Sequence, residues 1–218
     1  MAKESKTKKR ERAVEVVRRM SERYENALPA LDYYNAFTLT IAVLLSAQTT
    51  DKAVNMVTPA LFERWPDASS MAGADVDEIE KIIHKIGFYR VKARNCVACA
   101  QMICSSYGGE VPSTMKELMS LPGVGRKTAN IVLNHAFGIV EGIAVDTHVF
   151  RIAHKLNFSM ATTPDQTEQD LLSVLPKELW GPVNSQWVLF GREVCSARRP
   201  LCLECPLNDL CPGAGKTD

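Results

Sequence analysis

Apolar residues along this chain recur at intervals of three and four and nowhere alternate cleanly with polar ones, so it should fold as packed helices. Ala13, Val17, Met20, Tyr24 and Leu28 form one such stripe, with Arg12, Glu15, Arg19 and Glu22 mostly off it. A buried helix is expected over about Phe37 to Ala47, and another opens near Thr50-Asp51, which Pro59 should break or kink. Asp75 followed by Glu78 reads as a capping box for a helix that stops at Gly87. The next helix runs from about Arg90 to Tyr107, ending at Gly108-Gly109. Pro112-Ser113 starts a short helix that stops at Leu121-Pro122-Gly123, and a longer one begins at about Arg126. Thr163, Pro164 and Gln166 form a second capping box, and a final helix runs to about Val194. The class is all-α. With 218 residues, no repeats and no low-complexity linker, two helical lobes in close contact are expected rather than tethered domains.

No apolar run is long enough to span a bilayer, and no apolar segment follows the early lysines, so neither a membrane anchor nor a secretory signal is expected. The expected location is cytoplasmic. Net charge is only +1, which by itself excludes nothing and argues for nothing. Residues 1–19 hold eight Lys/Arg against three Asp/Glu, read as a solvated, partly disordered end. A nucleic-acid partner must therefore rest on local motifs.

The sharpest motif is Leu121-Pro122-Gly123-Val124-Gly125-Arg126-Lys127, a very tight turn between two helices. Gly123 and Gly125 allow backbone conformations closed to other residues and a close approach to a ligand. The turn feeds a helix N-terminus, where unpaired N–H groups and the dipole favour an anion such as a DNA phosphate. Arg126 suits one more phosphate contact. Lys127 lies in the first helical turn, where the dipole and partial burial disfavour an ammonium and favour the neutral amine that a nucleophile needs. An ordinary solvated lysine at a helix corner is the plainer alternative.

Asp146, in Val145-Asp146-Thr147-His148, should cap a helix running to about Leu156. Capping is compatible with chemistry, because backbone donors keep a carboxylate ionised, able to stabilise positive charge on a sugar ring and relay protons.

Seven cysteines fall into two sets, and an odd total without an export signal argues against a disulfide framework. Cys96, Cys99 and Cys104 lie in a helical pattern and suit buried packing. Cys195, Cys202, Cys205 and Cys211 crowd the last 24 residues with the spacing Cys-x6-Cys-x2-Cys-x5-Cys. Only Cys202 and Cys205 have the short spacing of a zinc half-site, and the longer gaps suit an iron–sulfur cube, so spacing alone leaves both open. Between the first two ligands, Arg198 and Arg199 could grip phosphates or simply be solvated.

Leu44-Leu45-Ser46-Ala47-Gln48-Thr49-Thr50-Asp51, the hairpin through Asn130, Val145-Asp146-Thr147-His148 and the cysteine tail together resemble the endonuclease III family, in the same order over nearly the whole chain. The resemblance implies a helix-hairpin-helix DNA glycosylase with lyase activity that removes oxidised pyrimidines from duplex DNA. It implies a six-helix barrel domain over residues 29–139 carrying the hairpin, an iron–sulfur domain over 1–28 plus 140–218, and a DNA cleft between them. On this reading Lys127 is the nucleophile and Asp146 its partner, acting on a nucleotide flipped out of the helix. Gln48 fills the vacated space, Phe88 wedges between bases, and His148 lies among the DNA-contacting residues. The four tail cysteines hold a [4Fe-4S] cluster that shapes the Arg198–Arg199 loop. The expected partner is duplex DNA with damaged pyrimidines or abasic sites, bound by a monomer associated with the nucleoid through that DNA. Three departures from the family pattern are evident, one of them His135 near the end of the hairpin helix, to which no role is assigned. The segment 138–142 is one residue longer, and Phe88 stands where a leucine is common, which bears on the wedge and on lesion preference.

Two rival functions are open. A monofunctional adenine or mismatch glycosylase lacks the nucleophilic lysine, and adenine enzymes place a glutamate before the glutamine, where this chain has Leu44-Leu45-Ser46-Ala47. A non-enzymatic DNA-binding module with a structural metal explains the glycines and cysteines but leaves Lys127 and Asp146 as coincidence.

Overall fold

The computed structural model describes residues 4–215. Twelve α-helices and three short 3-10 turns account for its regular structure, and no strand occurs among the described residues. The helices are α1 (Lys6–Arg23), α2 (Ala36–Leu45), α3 (Asp51–Asn55), α4 (Thr58–Arg64), α5 (Ala68–Ala72) and α6 (Val76–Ile83). They continue as α7 (Tyr89–Tyr107), α8 (Met115–Leu118), α9 (Arg126–Phe137), α10 (Thr147–Lys155), α11 (Pro164–Val174) and α12 (Val183–Glu193). None is long and apolar enough to cross a membrane. The chain divides into two compact units, Pro29–Glu141 and Met1–Leu28 with Gly142–Asp218.

Local chemistry places most helix starts. Asn35, Thr50, Asp67, Thr114 and Thr163 each accept a first-turn amide at the head of their helix, satisfying donors that have no partner within it. Asp75 caps α6 through the Asp77 amide (2.9 Å). The helix ends at Ile83 rather than at the expected Gly87, because the chain turns through His84 to Gly87 before α7. Pro59 does not kink a continuous helix: the break falls at Met56–Val57, and the proline occupies the first turn of α4, where no amide is needed. The short helix after Pro112 starts at Met115 under the Thr114 cap.

In the unit of residues 29–141, α2 is buried along its whole length from Phe37 to Leu45, and α9 and α7 pack against it. In the other unit, Ala13, Val17 and Met20 of α1 and its C-cap Tyr24 join Val149, Ile152, Leu171, Trp187 and Phe190 in one core. Leu28 leaves the expected stripe and is 72% exposed, lying beyond the end of α1. Nor is the basic N-terminal segment loose from residue 5 onward: Ser5 caps α1, and Arg12 donates to the carbonyls of Leu156 (2.8 Å) and Leu210 (3.1 Å). Lys3 lies outside the described residues.

Candidate active site and cluster site

The hairpin before α9 is held by Gly123. Its φ of +78° belongs to the left-handed region, and a Cβ there would stand 2.9 Å from Leu44 Cδ1 and 3.0 Å from Asn95 Nδ2. Both strain and contact exclude a side chain, so the turn lies flat on α2 and α7. Gly125 behaves differently from the expectation. Its backbone is extended (φ −96°, ψ 178°), a conformation open to any residue, and nothing of the chain lies within 4 Å of where a Cβ would be. What it contributes is a bare N-cap, a glycine that makes no side-chain cap bond to the first turn of α9. Such a helix start is a ready anion site.

Lys127 sits in that first turn and is exposed, its side chain without a hydrogen bond or ion pair among the described residues. The partial burial expected for it does not occur, because the helix buries the opposite face through Ala129, Val132 and Leu133. Arg126 beside it is half-buried.

Gln48 and Phe88 belong to the same unit as the hairpin and share an unusual backbone. Both take left-handed conformations (φ +52° and +58°), and both are exposed, Phe88 by 65%. Non-glycine residues adopt this conformation at a cost and persist in it only where the surroundings enforce it. Their loops are adjacent, since a Cβ at Gly87 would lie 3.9 Å from the Gln48 carbonyl oxygen. An exposed aromatic ring at a turn is the type of group that wedges into a base stack. Sequence reading missed Lys92, a buried lysine whose Nζ donates to Thr49 Oγ1 at 2.6 Å. The signal was its register with Cys96 and Cys99, at i, i+4 and i+7 on the buried face of α7.

In the other unit, Asp146 caps α10. Its Oδ1 accepts from the amides of His148 (2.9 Å) and Val149 (2.8 Å), and no bond to Oδ2 is made among the described residues. The carboxylate is half-buried and fixed by its helix, with one oxygen to spare. His148 is half-buried, and burial holds its imidazole below the ordinary value against the opposing pull of Asp146. Arg151, also missed, lies 3.2 Å from His148 Nδ1 through Nη2. It donates to the carbonyl of Cys195 (2.7 and 3.2 Å) and to that of Gly191 (3.1 Å). The Asp146 helix is thereby tied to the first tail cysteine.

All four tail cysteines line one cavity of about 300 Å3, with Ile152, Leu156, Phe190 and Leu207 among its walls. A zinc ion needs its sulfurs about 2.3 Å from one centre. The cavity is larger than one ion requires. Four thiols around a space of this size fit an iron–sulfur cube. Burial pushes the thiols of Cys195, Cys205 and Cys211 up, so the positive charge of a metal centre is needed to hold them as thiolates. Arg198 and Arg199 between the first two cysteines are exposed and form no ion pair among the described residues. Cys96 and Cys99 are buried in the unit of residues 29–141, and burial raises both thiols, Cys99 to about 12. Cys104 is only half-buried.

Comparison with known proteins agrees with this geometry. Residues 41–177 match the HhH-GPD superfamily of base excision DNA repair proteins, and residues 195–211 match the iron–sulfur binding domain of endonuclease III. An endonuclease III from Synechocystis sp. is 48% identical over 206 residues, covering 94% of both chains. A solved structure of a trapped covalent endonuclease III–DNA intermediate superposes with a TM-score of 0.89 at 41% identity, covering 94% of this chain and 96% of the other. A non-covalent endonuclease III–DNA complex gives 0.88 at the same identity and coverage. With its open hairpin, its capped aspartate helix and its four thiols around one cavity, the chain belongs to the endonuclease III family of HhH-GPD base excision repair proteins.

Proposed function

We propose that this protein is a base excision repair enzyme, a DNA N-glycosylase and abasic-site lyase acting on oxidised pyrimidines in duplex DNA, with Lys127 as nucleophile. The observation that carries this reading is the exposed Lys127 amine, its side chain unpaired among the described residues, in the first turn of a helix whose cap is a glycine with no side chain to offer. Phosphate binding at that helix start brings the sugar to the amine. Lys127 Nζ bonds to C1′ as the C1′–N bond to the damaged base breaks, and the base leaves with a proton. The Asp146 carboxylate stabilises the positive charge developing on the sugar and relays the proton released from the amine. The sugar ring opens to a Schiff base on Lys127. Loss of a C2′ proton then expels the 3′ phosphate and nicks the strand.

Gln48 occupies the space left by the flipped nucleotide, and Phe88 enters the stack. Gly123, Gly125 and Arg126 hold the phosphate, with further contacts from His148, Arg198 and Arg199. Cys195, Cys202, Cys205 and Cys211 hold the [4Fe-4S] cluster, which supplies a structural staple for the tail. The protein works as a monomer.

The test is borohydride trapping on duplexes containing thymine glycol or an abasic site. Trapping by the wild type that vanishes in Lys127→Gln supports the reading. Lesion release without trapping points to a monofunctional glycosylase, and neither activity to a DNA-binding module.

A further inference from the structure

Lys92 is the only buried lysine among the described residues, 5% exposed on α7. It has one side-chain acceptor, Thr49 Oγ1, and no carboxylate within ion-pair distance among the described residues. Burial holds its ammonium below the usual lysine range, opposed only by Cys96. A buried ammonium with one neutral acceptor and no counter-charge weakens a fold rather than supporting it. Any task other than stability therefore lies in what its ammonium touches.

Its position identifies the task. Thr49 follows Gln48, and the Lys92 amide donates to the Phe88 carbonyl at 3.1 Å. The Thr49 amide closes the Gln48 turn on the Ser46 carbonyl at 3.0 Å. The Lys92 side chain thus ties the Gln48 loop, through Thr49, to the first turn of the helix that Phe88 caps, and the exposed tips Gln48 and Phe88 both sit in strained left-handed conformations. We propose that Lys92 is a positioning residue for base extrusion, holding Gln48 and Phe88 in the adjacent arrangement in which they enter the duplex. The proposal rests on the glycosylase reading above, and on those two residues as the ones that invade the stack.

The test compares the intact cluster-containing protein with Lys92→Met, which keeps the stem and removes the charge, and with Thr49→Val. One substrate is a lesion duplex with 2-aminopurine beside the lesion, whose fluorescence reports unstacking. The other is single-stranded DNA with an abasic site, where no stack has to be entered, read by borohydride trapping. Lys92→Met should lower the fluorescence change and the rate of lesion release by about tenfold, the scale of one lost charge-assisted hydrogen bond. Trapping on the single strand should stay within about twofold, and the variant should melt at or above the wild-type temperature. Thr49→Val should act in the same direction, and the double variant should lose no more than the worse single one. Unchanged extrusion in Lys92→Met overturns the proposal. So do equal losses on both substrates with a lower melting temperature, which is the mark of a merely structural residue. A wild type that neither releases the lesion nor traps either DNA removes the glycosylase reading itself, an outcome distinct from failure of the variant alone.

Discussion

Helices α9 and α10 both begin at residues assigned to the chemistry, yet their starts are built in opposite ways. At α9 the cap is Gly125, exposed and extended, and it makes no side-chain bond to the first-turn amides. At α10 the cap is Asp146, whose Oδ1 takes two of them. The same positive helix end is left open to an outside anion in one case and closed on the chain's own carboxylate in the other. The first arrangement sacrifices a cap to gain a receptor. The second gains a cap and, with it, a carboxylate locked in orientation.

Substitution at the two starts should separate these uses, and the largest effect belongs to α9. Lys127→Gln should abolish trapping and reduce nicking by about 10³-fold or more, while leaving the melting temperature unchanged because the side chain is exposed. A residual trapped adduct at wild-type yield would move the nucleophile elsewhere. At α10, Asp146→Asn keeps the cap and removes the charge, so the rate should fall about 10²-fold with DNA affinity intact. Asp146→Ala removes both and should also lose about 1 kcal/mol of stability in denaturant titration. Equal stability of the two variants would mean that the cap contributes nothing.

The two hairpin glycines sharpen the contrast further. Gly123→Ala meets both a left-handed backbone and Leu44 at 2.9 Å, and should cost about 2–4 kcal/mol of stability. Gly125→Ser meets neither obstacle and supplies the missing cap, so it should be neutral or stabilising by a few tenths of a kcal/mol. It should nevertheless weaken binding to abasic duplex by about tenfold, because its hydroxyl competes with phosphate for the amides. Unaltered DNA affinity in Gly125→Ser would show that α9 is uncapped for no ligand.

What the sequence revealed follows the range of the forces involved. Caps such as Thr50, Thr163 and Asp146 act within three residues, so their helices were legible from composition alone. The order and spacing of the tail cysteines was equally legible, and their convergence on one cavity required the fold. The features that depend on distant packing were not readable. Burial of Lys127 was expected from its place in a helix, yet the face that α9 buries is decided by α2. The left-handed backbone of Gln48 and Phe88 has no glycine to announce it. Arg151 reads as an ordinary charged residue of α10 until the chain brings the Cys195 carbonyl to it across 44 positions.

The smallest expected difference between the two helix starts is their response to acid. His148, in the first turn of α10, has its imidazole held below the ordinary value chiefly by burial, with Arg151 and Arg192 adding to the effect. An unfolded histidine binds its proton near pH 6.5, so between the folded and ordinary values the unfolded state holds more protons. Stability contributed by this group is therefore present above the ordinary value and lost as pH falls toward the folded one. Protonation also places a second cation 3.2 Å from the Arg151 guanidinium, loosening the grip of Arg151 on the Cys195 carbonyl. The first turn of α9 contains no imidazole, so acid should weaken one start and spare the other. Melting temperature followed from about pH 7.5 to about 5.5 should fall less steeply in His148→Gln than in the wild type. The half-buried His135, lowered by its own burial, contributes equally to both proteins and cancels in the difference. Parallel slopes would assign the acid sensitivity to other groups and leave the α10 start as insensitive to pH as that of α9.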